Sequence, residues 1–365
     1  MKPNDINLNR RNFLGSSAVT LSAAAIGASG LLAHNSAHAQ SSGRPALVVI
    51  GNVDASDIAV ERVTYLNRNT QTNIAANLFK PPGFDRAKKY PAIVVVHPIG
   101  GVKEQTAGLY ALHLARKGYI TLAYDATYQG DSGGEPRLME LPASRVDDIS
   151  SAIDFLGTHA SVAPDKIGLL GICGGGGYVL NAAQTELRIR AVATVSAADI
   201  GGLRRTGLGG SRHSTERITL LKDASLQRSA EAQGGPIRLT PTVPESAKDF
   251  TTSTPVMYRE GFEYYRTARG QHPNSVGRAV FSTLPAQMAF YAFEAMDSIS
   301  PRPVLMIAGD KADSLYFSQD AYGKAIEPKE LFLVAGATHI DMYDKPQYVG
   351  PAVQKLSNFF DSHLA

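Results

Sequence analysis

Lys166-Ile167-Gly168-Leu169-Leu170-Gly171-Ile172-Cys173-Gly174-Gly175-Gly176-Gly177-Tyr178 is the stretch from which the rest of the chain is read. Its first half is a strand-like run, its second half begins a helix, and glycines crowd the junction. Gly171-Ile172-Cys173-Gly174-Gly175 matches the G-x-nucleophile-x-G elbow, with cysteine in the nucleophile's place. So sharp a turn strains the nucleophile's backbone and leaves no room for a Cβ on the flanking residues, hence the glycines. The helix start behind the thiol favours its thiolate, and the Gly174 N–H is a candidate oxyanion donor. Two plainer readings stand beside this one. A glycine-rich turn between strand and helix also cradles phosphate. G-x-G-x-x-G fails, however, because Val179 and Leu180 stand where its last glycine belongs, and no lysine follows a glycine of the cluster as a P-loop requires. The other plain reading is a cysteine that only packs.

Outward from the elbow, strand-like and helical segments alternate, the pattern of a largely parallel sheet covered by helices. Strands are expected over 58–66, 72–79, 92–97, 118–125, 166–173, 191–196, 304–308 and 331–335. Helices are expected over 104–117, 143–159, from the elbow to about 185, and over 346–360. In the second of these Val146, Ile149, Ile153 and Leu156 recur at helical spacing. Between about 200 and 300 the rhythm stops. Two helices (218–232 and 285–295) and the aromatic stretch Phe262-Glu263-Tyr264-Tyr265-Arg266 lie there. A structureless loop of that length does not suit a compact domain, so a cap inserted between two core strands is expected. The divisions are 1–39 leader, 40–200 core, 201–298 cap and 299–365 core.

The leader begins with the paired Arg10-Arg11, continues through a weakly apolar stretch from Ser16 to Ala33, and ends in Ala37-His38-Ala39. This is the form of a twin-arginine export signal cleaved after Ala39, which predicts engagement of that export machinery and a periplasmic product. An uncleaved anchor is the alternative, although the apolar stretch is short for one. The leader holds three basic residues and one acidic residue, so its removal takes the net charge from +3 to +1, with 33 Lys/Arg against 32 Asp/Glu remaining. A nucleic-acid or anionic-surface partner is therefore not expected. The single cysteine rules out an intrachain disulfide.

Partners for Cys173 occur in the chain order nucleophile, acid, histidine. His339, in Gly336-Ala337-Thr338-His339, directly follows the last strand and is the candidate base. Asp310 and Asp313 both follow the penultimate strand. Loop length favours Asp313 as the orienting acid, with Asp310 as the alternative and Asp199 a further substitute. The second oxyanion donor is expected from His97-Pro98-Ile99-Gly100-Gly101, at Ile99 N–H or its neighbour Gly100. His97 reads as a loop-shaping residue rather than a metal ligand, since no second ligand lies at suitable spacing. No metal and no cofactor are expected.

His97 to Thr106 (HPIGGVKEQT), Gly171 to Tyr178 (GICGGGGY) and Gly336 to Asp344 (GATHIDMYD), with Asp125 and Gly130-Asp131-Ser132-Gly133, resemble the α/β-hydrolase superfamily. Within it they resemble the dienelactone hydrolase-like branch that includes fungal polyketide transferases. The resemblance implies an α/β-hydrolase fold with a mostly parallel sheet, helices on both faces and an inserted cap. It implies Cys173 as nucleophile, His339 as base and Asp313 as its acid. By the same resemblance Glu104 would contact the resting thiol, whereas the sequence itself places it at a helix start, complementing the dipole. The cap departs from small dienelactone hydrolases and puts their cyclic substrate in doubt. The function expected is carboxylic ester, lactone or thioester hydrolysis of a small acyl substrate. The alternatives are an acyltransferase to an alcohol or amine and a non-catalytic binding protein on the same scaffold.

Overall fold

The structure, a computed structural model, describes residues 53–364; the leader expected over 1–39 and its expected cleavage point lie outside the described residues. The chain opens with β1 (Ala59–Asn67), β2 (Thr72–Lys80) and β3 (Tyr90–Val96), followed by α1 (Thr106–Ala115), β4 (Ile120–Tyr124) and α2 (Pro142–Thr158). Then come β5 (Val162–Ile172), α3 (Gly174–Ala183) and β6 (Ile189–Val195). The segment after β6 holds α4 (Ile200–Thr206), α5 (Ser214–Ala232), β7 (Leu239–Pro241), α6 (Val256–Arg266), β8 (Arg278–Val280) and α7 (Leu284–Met288). The chain closes with β9 (Val304–Gly309), α8 (Leu315–Lys324), β10 (Lys329–Val334), α9 (Asp341–Asp344) and α10 (Pro346–Leu364).

Eight strands form one sheet in the order β1-β2-β4-β3-β5-β6-β9-β10, parallel from β4 onward, with β2 antiparallel to both β1 and β4. Burial on both faces explains why β3 reads as an unbroken apolar run. Val94 and Val96 pack with Ile149, Ile153 and Val179 on one face. Ile93 and Val95 pack with Leu109, Leu112 and Phe360 on the other. Helices therefore cover both sides, as a mostly parallel sheet requires.

The order reverses beside β3: the chain leaves it toward β4, then returns to its other side as β5. That reversal separates the loops at the two carboxyl ends and opens a crevice there. With Val96 paired to Gly171, the 97–101 loop and the Cys173 elbow flank the crevice.

Residues 200–299 stand outside the large sheet, between β6 and β9, with β7 and β8 paired as a short antiparallel ribbon. The helix expected over 285–295 ends at Met288. Beyond it side chains take the carbonyls that helix N–H groups would need: Arg205 bonds Phe290 O, Asn181 Nδ2 bonds Tyr291 O at 3.2 Å, and Gln184 Nε2 bonds Ala292 O at 2.8 Å. The aromatic stretch, in turn, is the end of a helix, α6, whose Met257, Gly261, Tyr264 and Tyr265 share its buried face. Among the described residues no helix is long and apolar enough to cross a membrane.

Candidate active site

Cys173 joins β5 to α3 with φ +56° and ψ −123°, a left-handed conformation that costs a residue with a Cβ on the order of 1–3 kcal/mol. The surroundings hold it there. Its N–H donates to Val195 O at 3.0 Å, and its carbonyl accepts from Gly176 N at 2.8 Å and Ala198 N at 2.9 Å. A Cβ on Gly171 would lie 2.3 Å from Gly175 O, and one on Gly175 would lie 2.4 Å from Val96 O. Both obstacles are backbone, so those two glycines are what lets the turn close.

The Tyr343 hydroxyl and the Gly174 and Ile99 N–H groups lie beside Cys173 in the lining of the crevice. Burial pushes the thiol's pKa up, and these donors, with the more distant Arg145 charge, partly offset it. Ile99 is aimed by the residues before it. His97 is fully buried; its Nδ1 donates to Pro98 O at 2.7 Å, and its Nε2 accepts from Ala126 N at 3.1 Å and from Arg145 Nη1 at 3.0 Å. Burial, then the Arg145 charge, holds this imidazole well below its usual range, consistent with a neutral ring in that tautomer. Arg145, from α2, also donates Nη2 to His97 O at 2.8 Å and faces Glu140 at 3.6 Å. The loop's far end is tied to Asp125, which accepts from Lys103 N at 2.8 Å and Lys103 Nζ at 2.6 Å. Glu104 joins this cluster, 2.8 Å from Lys103 Nζ. Its carboxylate is thus turned to Lys103, and no contact with the thiol is seen.

His339, between β10 and α9, is buried and uses both ring nitrogens. Nδ1 lies 2.5 Å from Ser314 Oγ and Nε2 lies 3.3 Å from the Tyr343 hydroxyl. Burial alone lowers its pKa to about 4. Among the described residues no carboxylate oxygen lies within 4.0 Å of either nitrogen. The hydrogen bond expected of Asp313 is therefore made by its neighbour Ser314. At the start of α6, whose N-cap Pro255 offers no side-chain acceptor, Asp313 Oδ2 accepts from Met257 N at 3.0 Å, while its Oδ1 is buried without a hydrogen-bond partner. Asp310 Oδ1 accepts from Gly336 N at 2.7 Å and so ties the turn after β9 to the turn after β10. Asp199 caps α4 through Gly201 N at 2.9 Å. Sequence reasoning missed Ser314 and Tyr343. The latter carried a faint signal, because it lies four residues after His339.

A model of the dienelactone hydrolase family matches residues 74–197, the span from β2 through the elbow to the end of β6. The uncharacterized protein YcjY of Escherichia coli strain K12 is 39% identical over 305 residues, which is 83% of this chain and 99% of that protein. Hypothetical protein PA2218 from Pseudomonas aeruginosa, a crystal structure, is similar with TM-score 0.79 and 35% identity, covering 84% of this chain and 94% of that one. The chain belongs to the dienelactone hydrolase family. Polyketide transferase claH of Penicillium crustosum is also similar, 25% identical over 281 residues, 76% of this chain and 89% of that protein.

In this member of the dienelactone hydrolase family the crevice is roofed by the segment between β6 and β9. Leu203, Arg204, Met257, Tyr258 and Tyr265 line it together with Cys173 and His339, around a narrow cavity of about 70 Å³. Most of the lining is apolar. Arg204 is the cationic exception in the wall, held through Nε to Gln287 at 2.9 Å, and burial lowers its pKa. Among the described residues no group of three or more His, Cys, Asp or Glu side chains is arranged to hold a metal ion.

Proposed function

We propose that the protein hydrolyses a carboxylic ester, lactone or thioester through an acyl-cysteine on Cys173, with His339 as base. The observation that carries this reading is a cysteine held at a strained elbow with the Gly174 and Ile99 backbone beside it, Ile99 N lying 3.6 Å from where a Cβ on Gly174 would be. Two N–H donors aimed at one point match the developing oxyanion of acyl transfer. In the reaction the thiol proton passes to His339 and the sulfur attacks the carbonyl carbon. The carbonyl oxygen takes the negative charge between Ile99 and Gly174, and the leaving group departs with a proton from His339. Water, activated by His339, then releases the acid. Each oxyanion donor is worth about 2.7–4 kcal/mol of barrier. The twin-arginine leader makes the periplasm the proposed place of action.

The polyketide transferase relative favours a second reading, in which an alcohol or amine takes the acyl group in place of water. Intact mass after brief mixing with aryl esters, lactones and acyl thioesters tests both. A transient acyl adduct on wild type and none on Cys173→Ala supports the nucleophile, and products formed with added alcohols or amines decide the acceptor. Absence of adduct and of turnover across the panel, with the thiol reduced, sinks the reading in favour of a binding protein.

A further inference from the structure

Between the thiol and the imidazole stands a hydroxyl. Tyr343 Oη is 3.3 Å from His339 Nε2, and Tyr343 lines the same crevice as Cys173, close enough to bear on its thiol. His339 Nδ1 is engaged by Ser314, which leaves Nε2 facing the Tyr343 hydroxyl. Tyr343 cannot swing aside. It is fully buried, its ring packs edge-on against Tyr264 at 5.2 Å and Tyr265 at 6.3 Å, and its carbonyl accepts from Thr106 Oγ1 at 3.0 Å. The preceding carbonyl, Met342 O, accepts from the Tyr110 hydroxyl at 2.8 Å.

We propose that Tyr343 is a further catalytic residue, carrying the proton between Cys173 and His339. The inference rests on the acyl-cysteine reading above. As the sulfur attacks, the S–H bond breaks and its proton goes to Tyr343 Oη. The phenol's own proton moves at the same time to His339 Nε2, whose Nδ1–H donates to Ser314 Oγ. The freed sulfur pair forms the S–C bond, the carbonyl π pair becomes the oxyanion at Ile99 and Gly174, and the phenol is regenerated. Collapse of that intermediate returns the proton from His339 to the leaving group. Burial, and then the Cys173 sulfur beside it, holds the phenol's pKa well above its usual value. Free phenolate is therefore avoided, and the two transfers occur together.

The test is Tyr343→Phe in the full chain, which keeps the ring and removes only the hydroxyl. The probes are p-nitrophenyl acetate for single-turnover acylation and iodoacetamide for the thiol. The variant should acylate about a hundredfold more slowly. The curved dependence on deuterium fraction, diagnostic of two protons in flight, should become linear, and alkylation of Cys173 should move to higher pH. A fluorinated tyrosine at 343, which retains the hydroxyl but makes it more acidic, should restore the curvature and shift the pH profile. Wild-type rate, curvature and alkylation profile in Tyr343→Phe would overturn the relay while leaving the acyl-cysteine intact. Absence of acyl-Cys173 in wild type would remove the acyl-cysteine reading itself, and an unmoved alkylation profile would then remove the Tyr343 link as well.

Discussion

Arg145→Met isolates the buried charge that shapes the oxyanion loop. Arg145 and Glu140 are 2% and 1% exposed, and the guanidinium makes two hydrogen bonds to His97 besides facing Glu140 at 3.6 Å. Methionine fills most of the volume and suits the helix, so the cost comes from charge. Glu140 keeps one partner, the Tyr178 hydroxyl at 2.7 Å, but loses the guanidinium that faces it. Breaking a buried pair in this way costs about 3–5 kcal/mol. Neutralising the partner should return much of it. The double variant Arg145→Met/Glu140→Gln should therefore lie only about 1–2 kcal/mol below wild type, the residue being the lost donors to His97. Urea unfolding of the two single variants and the double gives the coupling directly. The folded fraction of Arg145→Met should also acylate about a hundredfold more slowly, because the carbonyl that leads into Ile99 has lost its anchor. A single variant within about 1 kcal/mol of wild type, or a double no better than the single, would refute the argument.

Two further predictions concern the base. Ser314→Ala removes the acceptor at His339 Nδ1 and should slow acylation about tenfold, the worth of one neutral hydrogen bond. Asp313→Ala removes the acceptor for Met257 N, so its main effect should be about 1.5–3 kcal/mol of stability; acylation lost in Asp313→Ala but retained in Ser314→Ala would return the orienting role to Asp313. His339 binds its proton near pH 4 when folded and near 6.5 when unfolded. Below about pH 6.5 the unfolded chain takes up a proton that the native site resists, so the stabilisation is complete above pH 6.5 and is lost as pH falls toward 4. It amounts to about 3 kcal/mol, and equal unfolding slopes over that window for wild type and His339→Gln would contradict it.

The central strands, the elbow and the 97–101 loop were legible because each is dictated locally, by unbroken apolar runs or by glycines that backbone crowding demands. His339 was legible because only one histidine directly follows a C-terminal strand. Other features depend on distant partners. Asp313 is one: α6, which begins with a proline, draws one of its carboxylate oxygens to the helix N-terminus from more than fifty residues away. That helix was itself obscured. Its buried positions 257, 261, 264 and 265 have helical spacing, but Arg259, Glu260, Glu263 and Arg266 interrupt them and the aromatics read as a stretch rather than a face. Glu104 was placed by resemblance at the thiol, whereas Lys103, drawing three carboxylates to one ammonium, redirects it.

The raised thiol and the depressed imidazole mean that Cys173 and His339 rest as a neutral pair rather than as a thiolate and an imidazolium. Peroxides and disulfides attack thiols through the thiolate. The sulfur is thus stored in its least oxidisable form, and under the proposed acyl-cysteine mechanism its nucleophilicity is summoned only while an acyl carbonyl occupies the site. In a chain with one cysteine, an oxidised sulfur has no resolving neighbour to rescue it. Under the proposed mechanism burial therefore sets the sulfur's working lifetime among oxidants, and changes that open the roof of the crevice would shorten that lifetime even where they speed turnover.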